Sequence, residues 1–171
     1  MLDRPSADDL LPPSFSAWFA RRGWEPRPHQ LELIAKARAG RSALLIAPTG
    51  AGKTLAGFLP SLIEIAGRRR SADSSPLHTL YVSPLKALAV DIARNLEAPI
   101  DEMTLSVRVE TRTGDTNAAK RQRQRLNPPD ILLTTPEQLA LLLASKEAAN
   151  LFRHLDTVVL AAVIPVSFVA K

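Results

Sequence analysis

The chain has 171 residues, of which 46% are hydrophobic and 23% charged, with no cysteine and a formal net charge of +5. That suffices for one domain with its own core, and it excludes a disulfide framework and a thiolate metal site. The mild positive charge permits a polyanionic partner without requiring one.

Taken in chain order, the N-terminus is rich in acidic residues and proline and has no apolar h-region, so no secretory signal is expected and the location reads as cytoplasmic. Ser14 is placed to cap a helix running to Arg22, with Phe15, Trp18 and Phe19 on one side and Gly23 as its stop. Pro28 opens a second helix that Gly40 closes, burying Leu31, Ile34 and Ala35. Strands are predicted over Ala43–Ala47, Thr79–Val82, Val107–Glu110, Ile131–Thr134 and Thr157–Leu160. Helices are predicted near Lys53–Ala66, Leu85–Leu96, Asn117–Leu126 and Pro136–Leu143, and Gly67–Leu77 reads as a surface loop. Such alternation predicts an α/β fold with a mainly parallel sheet flanked by helices. His29, His78 and His154 stand at no ligand-like spacing and read as structural or surface residues. The apolar run from Thr157 to Ala170 contains Pro165 and falls short of the ~20 residues that span a bilayer, so no membrane partner is expected.

Three strand ends carry the chemistry. After Ala43–Ala47 comes APTGAGKT, residues 47–54, and then a helix. Glycine is needed where backbone approaches phosphate, a lysine reaches the β- and γ-phosphates, and a hydroxyl serves Mg²⁺. Gly52, Lys53 and Thr54 fill those positions, Thr49, Gly50 and Ala51 complete the loop, and Ala47 stands where the strict pattern has glycine. ATP with Mg²⁺ is the expected cofactor, with Thr54 as the metal's protein ligand. After Thr79–Val82 come Ser83 and Pro84, and after Ile131–Thr134 come Thr135, Pro136 and Glu137, each pair read as an N-cap and first turn. All three helix starts are expected at one sheet edge, where unpaired N–H groups and the positive end of the helix dipole attract phosphate. Open α/β sheets bind ligands at that edge.

Residues 104–127 hold six basic side chains (Arg108, Arg112, Lys120, Arg121, Arg123, Arg125) against Glu110 and Asp115. Arg121 and Arg125 are spaced to share a helix face, which costs a few tenths of a kcal/mol unless an anion is near. Phosphate contact and a plain solvated face both account for them.

Together these segments resemble the first motor domain of a superfamily 2 DExH-box helicase, of the large helicase-related (Lhr) type and its DNA-ligase-associated branch. The resemblance covers roughly residues 14–160. It implies a P-loop NTPase (RecA-like) sheet, incomplete at the C-terminus, with 1–160 as a partial ATP-binding domain. It makes APTGAGKT motif I, in which alanine at the first position is common. Trp24-Glu25-Pro26-Arg27-Pro28-His29-Gln30 resembles the adenine-recognition segment, with the amide of Gln30 reaching outward to the base. Ser83-Pro84-Leu85-Lys86-Ala87-Leu88 resembles motif Ia, Thr135-Pro136-Glu137 motif Ib, and Thr113-Gly114-Asp115 the turn between them. In the family these segments hold the tracked strand. This implies DNA as partner, single-stranded or 3′-tailed, DNA repair as the task, and a DNA ligase and nuclease as associates.

The resemblance also places an Asp-Glu pair directly after Thr157–Leu160, to hold Mg²⁺ and orient the attacking water. Here Ala161 and Ala162 follow, and no acid occurs from there to Lys171. Asp156 precedes the strand and lies about 16 Å from that edge at ~3.3 Å per residue. Residues 161–171 therefore read as an aberrant or truncated tail, the product of a frameshift or early truncation, leaving the sheet from a central strand. No catalytic acid is assigned, the second motor domain lies outside these residues, and hydrolysis by this chain alone is not expected. Two alternatives remain: a stand-alone nucleotide-binding or kinase-like module, and a non-catalytic nucleic-acid-binding fragment.

Overall fold

The computed structural model describes residues 7–48, 50–68, 76–161 and 166–170. Helices α1 (Ala7–Leu10), α2 (Pro13–Arg21) and α3 (Pro28–Arg38) precede β1 (Ala43–Ile46) and α4 (Lys53–Gly67). Then follow β2 (Thr79–Val82), α5 (Lys86–Glu102), β3 (Val109–Arg112), α6 (Ala118–Leu126), β4 (Ile131–Thr134), α7 (Pro136–Leu143) and α8 (Ala148–Leu151). The last strands are β5 (Thr157–Ala161) and β6 (Val166–Ala170), and the sheet order is β1-β6-β5-β2-β4-β3.

Strands β5, β2, β4 and β3 form a parallel block. Strand β6 is antiparallel to both neighbours, β5 and β1. Two reversals return β1 to the direction of the block, so the C-terminal ends of β1 to β5 share one edge. Alternating side chains point to opposite faces. Tyr81, Leu133 and Val159 pack with Phe15, Phe58, Leu59 and Leu62 on one face. Leu80 and Leu132 pack with Leu77, Leu142 and Leu151 on the other. Each such side chain contributes about 1.5–3 kcal/mol by leaving water, so the parallel block, buried on both faces, fixes its own register.

Several expectations change. Ser14 is not a cap: α2 starts one residue earlier, at Pro13, behind Pro12, and has no side-chain cap bond. Proline's fixed φ suits a helix start, so the Pro12-Pro13 pair sets the boundary. Helix α5 continues past Leu96 through Pro99 to Glu102. Burial of Ile100 and packing of Met103 against the core offset the backbone bond that Pro99 removes. Strand β3 begins two residues later than predicted, because pairing with β4 sets Val109 opposite Ile131 and Arg112 opposite Thr134. Of the predicted loop at 67–77, residues 69–75 lie outside the described residues, while Gly67 ends α4 and Leu77 is fully buried.

The tail was expected to leave the sheet. Instead the backbone of Val166–Ala170 pairs with both β1 and β5. Two strand edges with open N–H and C=O rows are a template for a further strand, and Val166-Ser167-Phe168-Val169 has the β-branched and aromatic residues that strands favour.

At the opposite edge, where β2 and β5 begin, the carbonyl of His78 accepts from the N–H groups of Asp156 (3.0 Å) and Thr157 (3.1 Å). Burial pushes the His78 ring below its usual pKa, as does nearby Arg68, against the opposing pull of Asp156 and Glu64.

Candidate nucleotide and nucleic-acid site

The loop after β1 depends on backbone that only glycine adopts cheaply. Gly50 has φ +79° and Gly52 φ +69°, in the left-handed region that costs other residues about 1–2 kcal/mol. Gly52 is also the N-cap of α4, and a Cβ there would stand 3.1 Å from Nε2 of Gln30. The start of the fifteen-residue α4 thus opens into the loop with no side-chain cap, leaving donors for an anion. Lys53 folds back over the loop, its ammonium donating to the carbonyls of Ala47 (2.7 Å) and Pro48 (2.8 Å). An arriving phosphate would exchange these ammonium–carbonyl bonds for ion pairs. His29 Nε2 donates to the carbonyl of Ala51 at 3.0 Å and anchors the loop to α3. Thr49 lies outside the described residues.

Gln30 does not reach outward. It is only 3% exposed, and its Oε1 accepts from the Arg27 N–H at 2.9 Å, capping the start of α3. That satisfies one orphan donor of the helix and turns the Nε2 group toward Gly52. The adjoining cavity, about 580 Å³, is lined among others by Trp24, Arg27, Gln30, Gly50, Gly52 and Thr54, a volume within the range of small-ligand pockets.

Sequence reasoning missed one wall of this cavity. The Arg22 guanidinium lies 4.8 Å from the ring centroid of Trp24 and 5.6 Å from that of Trp18. Glu102 accepts from Trp18 Nε1 at 2.7 Å and Arg22 Nε at 2.8 Å. Arg22 first, then Trp18, hold the Glu102 carboxyl below the usual carboxylate range. Half-exposed Trp24 thereby presents an aromatic face of the kind a planar base stacks on. The adjacent tryptophan and glycine were a signal; the distant Glu102 was not.

The other half of the edge lies after β2, β3 and β4. Ser83 is buried, and its Oγ lies 3.3 Å from both the N–H and the carbonyl O of Leu85. Ser83 therefore closes a turn, while Leu85 is the N-cap of α5 and exposed Pro84 precedes it, a correction to the expected cap pair. Lys86 pairs with the carboxylate of Asp115, which ties the α5 start to the turn after β3. Within that turn the Thr113 N–H donates to Thr116 Oγ1 at 2.9 Å. Arg121 donates to the carbonyls of Gly114 (2.7 Å) and Thr113 (3.3 Å), and Arg112 to the carbonyl of Arg121 (3.2 Å). These two arginines clasp Thr113 and Gly114 in place.

Arg112 is 2% exposed. Burial, followed by Arg125 and Arg121, lowers its pKa, and the Nε atoms of all three arginines are buried without a hydrogen-bond partner among the described residues. Arg123 is balanced separately, by Glu110 at 2.8 Å. At β4, Thr135 is the N-cap of α7 and Pro136 its first residue, as predicted, but Thr135 makes no side-chain bond to the helix backbone. The Glu137 carboxyl, in the first turn of that helix, is held below the usual carboxylate range by its own backbone N–H and then by the Thr135 hydroxyl.

The donor set fits a nucleotide triphosphate better than a free Mg²⁺ ion. Thr54 can supply one oxygen, but β5 ends at Leu160 and Ala161, and residues 161–171 carry no carboxylate.

The family model for the DEAD/DEAH box helicase matches residues 27–161. The chain is 40% identical over 180 aligned residues to "Lhr helicase/uracil glycosylase" of Escherichia coli (strain K12), covering 94% of this chain and 12% of that protein. Among solved structures it resembles Mycobacterium smegmatis helicase Lhr bound to ssDNA and AMP-PNP, with TM-score 0.77, 38% identity, and coverage of 93% of this chain and 20% of the other. It also resembles the DUF1998 helicase MrfA bound to DNA and AMPPNP, with TM-score 0.77, 32% identity, and coverage of 92% and 21%. The chain spans about an eighth of the length of the first of these relatives. It belongs to the DEAD/DEAH box helicase family and corresponds to part of the RecA-like motor domain of Lhr-type ATP-dependent helicases.

Proposed function

We propose that this chain binds ATP at residues 47–54 and Gln30, and holds single-stranded DNA across Ser83, Pro84, Lys86, Thr113, Gly114, Thr135, Pro136 and Glu137. The observation that carries the reading is positional. The glycine loop and the helix starts after β2 and β4 share one sheet edge, which suits a nucleotide beside a phosphodiester chain. In this reading Thr49, Gly50, Ala51 and Gly52 surround the phosphates, Lys53 neutralises them, and Thr54 gives one oxygen to Mg²⁺ carried in with ATP. Backbone N–H groups of the Thr113–Gly114 turn and the α7 start hold the DNA backbone. The DNA-bound Lhr and MrfA structures support DNA as partner. The same reading takes 3′-tailed DNA as a favoured form and, from the ligase-associated resemblance, a DNA ligase and nuclease as associates in cytoplasmic DNA repair.

ATP turnover is not part of the proposal, because no acid follows β5. Binding of ATPγS and of a single-stranded oligonucleotide, measured separately at low salt, tests it. Both should bind, the oligonucleotide with strong salt dependence. No detectable ATPγS binding would sink the nucleotide site, and no oligonucleotide binding at low salt would sink the DNA face.

A further inference from the structure

Three polar side chains converge at the sheet edge opposite the phosphate loop. Glu64 comes from the last turns of α4, His78 immediately precedes β2, and Asp156 immediately precedes β5. One ligand atom from each lies within 4.8 Å of the others. His78 Nε2 is 3.2 Å from Glu64 Oε2 and 3.9 Å from Asp156 Oδ2. We propose that Glu64, His78 and Asp156 form a binding site for a divalent transition metal of the Zn²⁺ type.

The separations fit that ion. With Zn–N and Zn–O bonds near 2.0–2.2 Å, two ligands of a tetrahedral centre stand about 3.3 Å apart. The observed 3.2 and 3.9 Å bracket that value, so small rotamer adjustments of the carboxylates close the site. The donors are the right kind, since imidazole with carboxylates suits Zn²⁺. His78 also has the supporting contact that metal-ligating histidines use: its Nδ1 is 2.7 Å from Thr79 Oγ1. In this structure Nε2–H donates to Glu64; metal binding would release that proton, with Nδ1–H then donating to Thr79 Oγ1.

The backbone is preorganised. The His78 N–H donates to the Asp130 carbonyl at 3.0 Å, and the His78 carbonyl accepts from Asp156 and Thr157. His78 is 1% exposed while Glu64 and Asp156 are 26% and 37% exposed. The ring is therefore fixed, the carboxylates can adjust, and solvent can supply a fourth ligand. The ion would tie the far end of α4, whose near end opens on the phosphate loop, to the starts of β2 and β5. Nothing in this inference depends on nucleotide or DNA binding.

The test is calorimetric titration of the full chain with Zn²⁺ after chelator treatment, with Co²⁺ absorption as a report of geometry. One ion per chain and tetrahedral-type Co²⁺ bands are expected. Glu64→Gln and Asp156→Asn, both partly exposed and so compatible with folding, should each weaken Zn²⁺ binding at least ~10-fold, in line with the loss of one ligand. Zn²⁺ should raise the thermal midpoint of the wild type but not of the double variant. Absence of stoichiometric binding, or equal affinity in wild type and double variant, overturns the proposal, the second result placing the ion elsewhere, as at His29 or His154.

Discussion

The two halves of the anion-facing edge are built on different principles. Around the loop after β1 the backbone is held open by left-handed glycines, and Lys53 rests on neutral carbonyls. Around β2, β3 and β4 two of the cations are already matched: Lys86 is paired with Asp115 and Arg123 with Glu110. In the first half an anion meets a lysine resting on neutral carbonyls; in the second, Lys86 and Arg123 must break an ion pair to make another. The difference teaches that two anion sites on one sheet edge can differ in strength according to what their cations must give up.

The sharpest way to break this comparison is Lys53→Ala. Removing the cation that bends over the loop should weaken ATPγS binding by about 10- to 100-fold, the worth of bonds to a charged group, while oligonucleotide affinity stays within twofold. If both ligands weaken equally, the halves are not independent. Gly52→Ala comes next, with a stability loss of about 1–2 kcal/mol from its positive φ and a crowded Gln30, read by urea denaturation. An unchanged midpoint would mean that the loop relaxes freely.

Arg121→Ala tests the clasp. Freed from two carbonyl contacts, the Thr113–Gly114 turn should hold single-stranded DNA several-fold less tightly, with ATPγS binding unaltered. The smallest effect belongs to Asp115→Asn, which releases Lys86. Oligonucleotide affinity should rise slightly, and the dependence of log K on log salt should steepen by up to about one phosphate contact. A fall in affinity would show that the Lys86–Asp115 pair shapes the DNA face instead of restraining it.

Much of the fold was legible because its signals are local. Thr79–Val82 and Ile131–Thr134 were bounded correctly by apolar runs, and Pro136–Leu143 by its Thr-Pro start. Errors came where packing overrode local preference. The helix expected near Leu85–Leu96 runs on through Pro99 to Glu102, because the core buries Ile100 and carries α5 onward. Val107 reads as strand, yet β4 sets the register two residues later. In the site, the glycine loop was plain from spacing, but the inward turn of Gln30 was not, because its partner is the Arg27 backbone N–H.

By itself the sequence determined the phosphate loop, the alternation of strands and helices, and the absence of an acid after Leu160, because each is written in contiguous residues. Only the tertiary structure decided which charges are available. Whether Lys86 is free or paired, whether Arg112 faces solvent or lies buried, and whether His78 is isolated or flanked by Glu64 and Asp156 all depend on residues far apart in the chain. Coulomb interactions and desolvation act over ångströms of space and are indifferent to sequence distance, so spacing along the chain cannot report them.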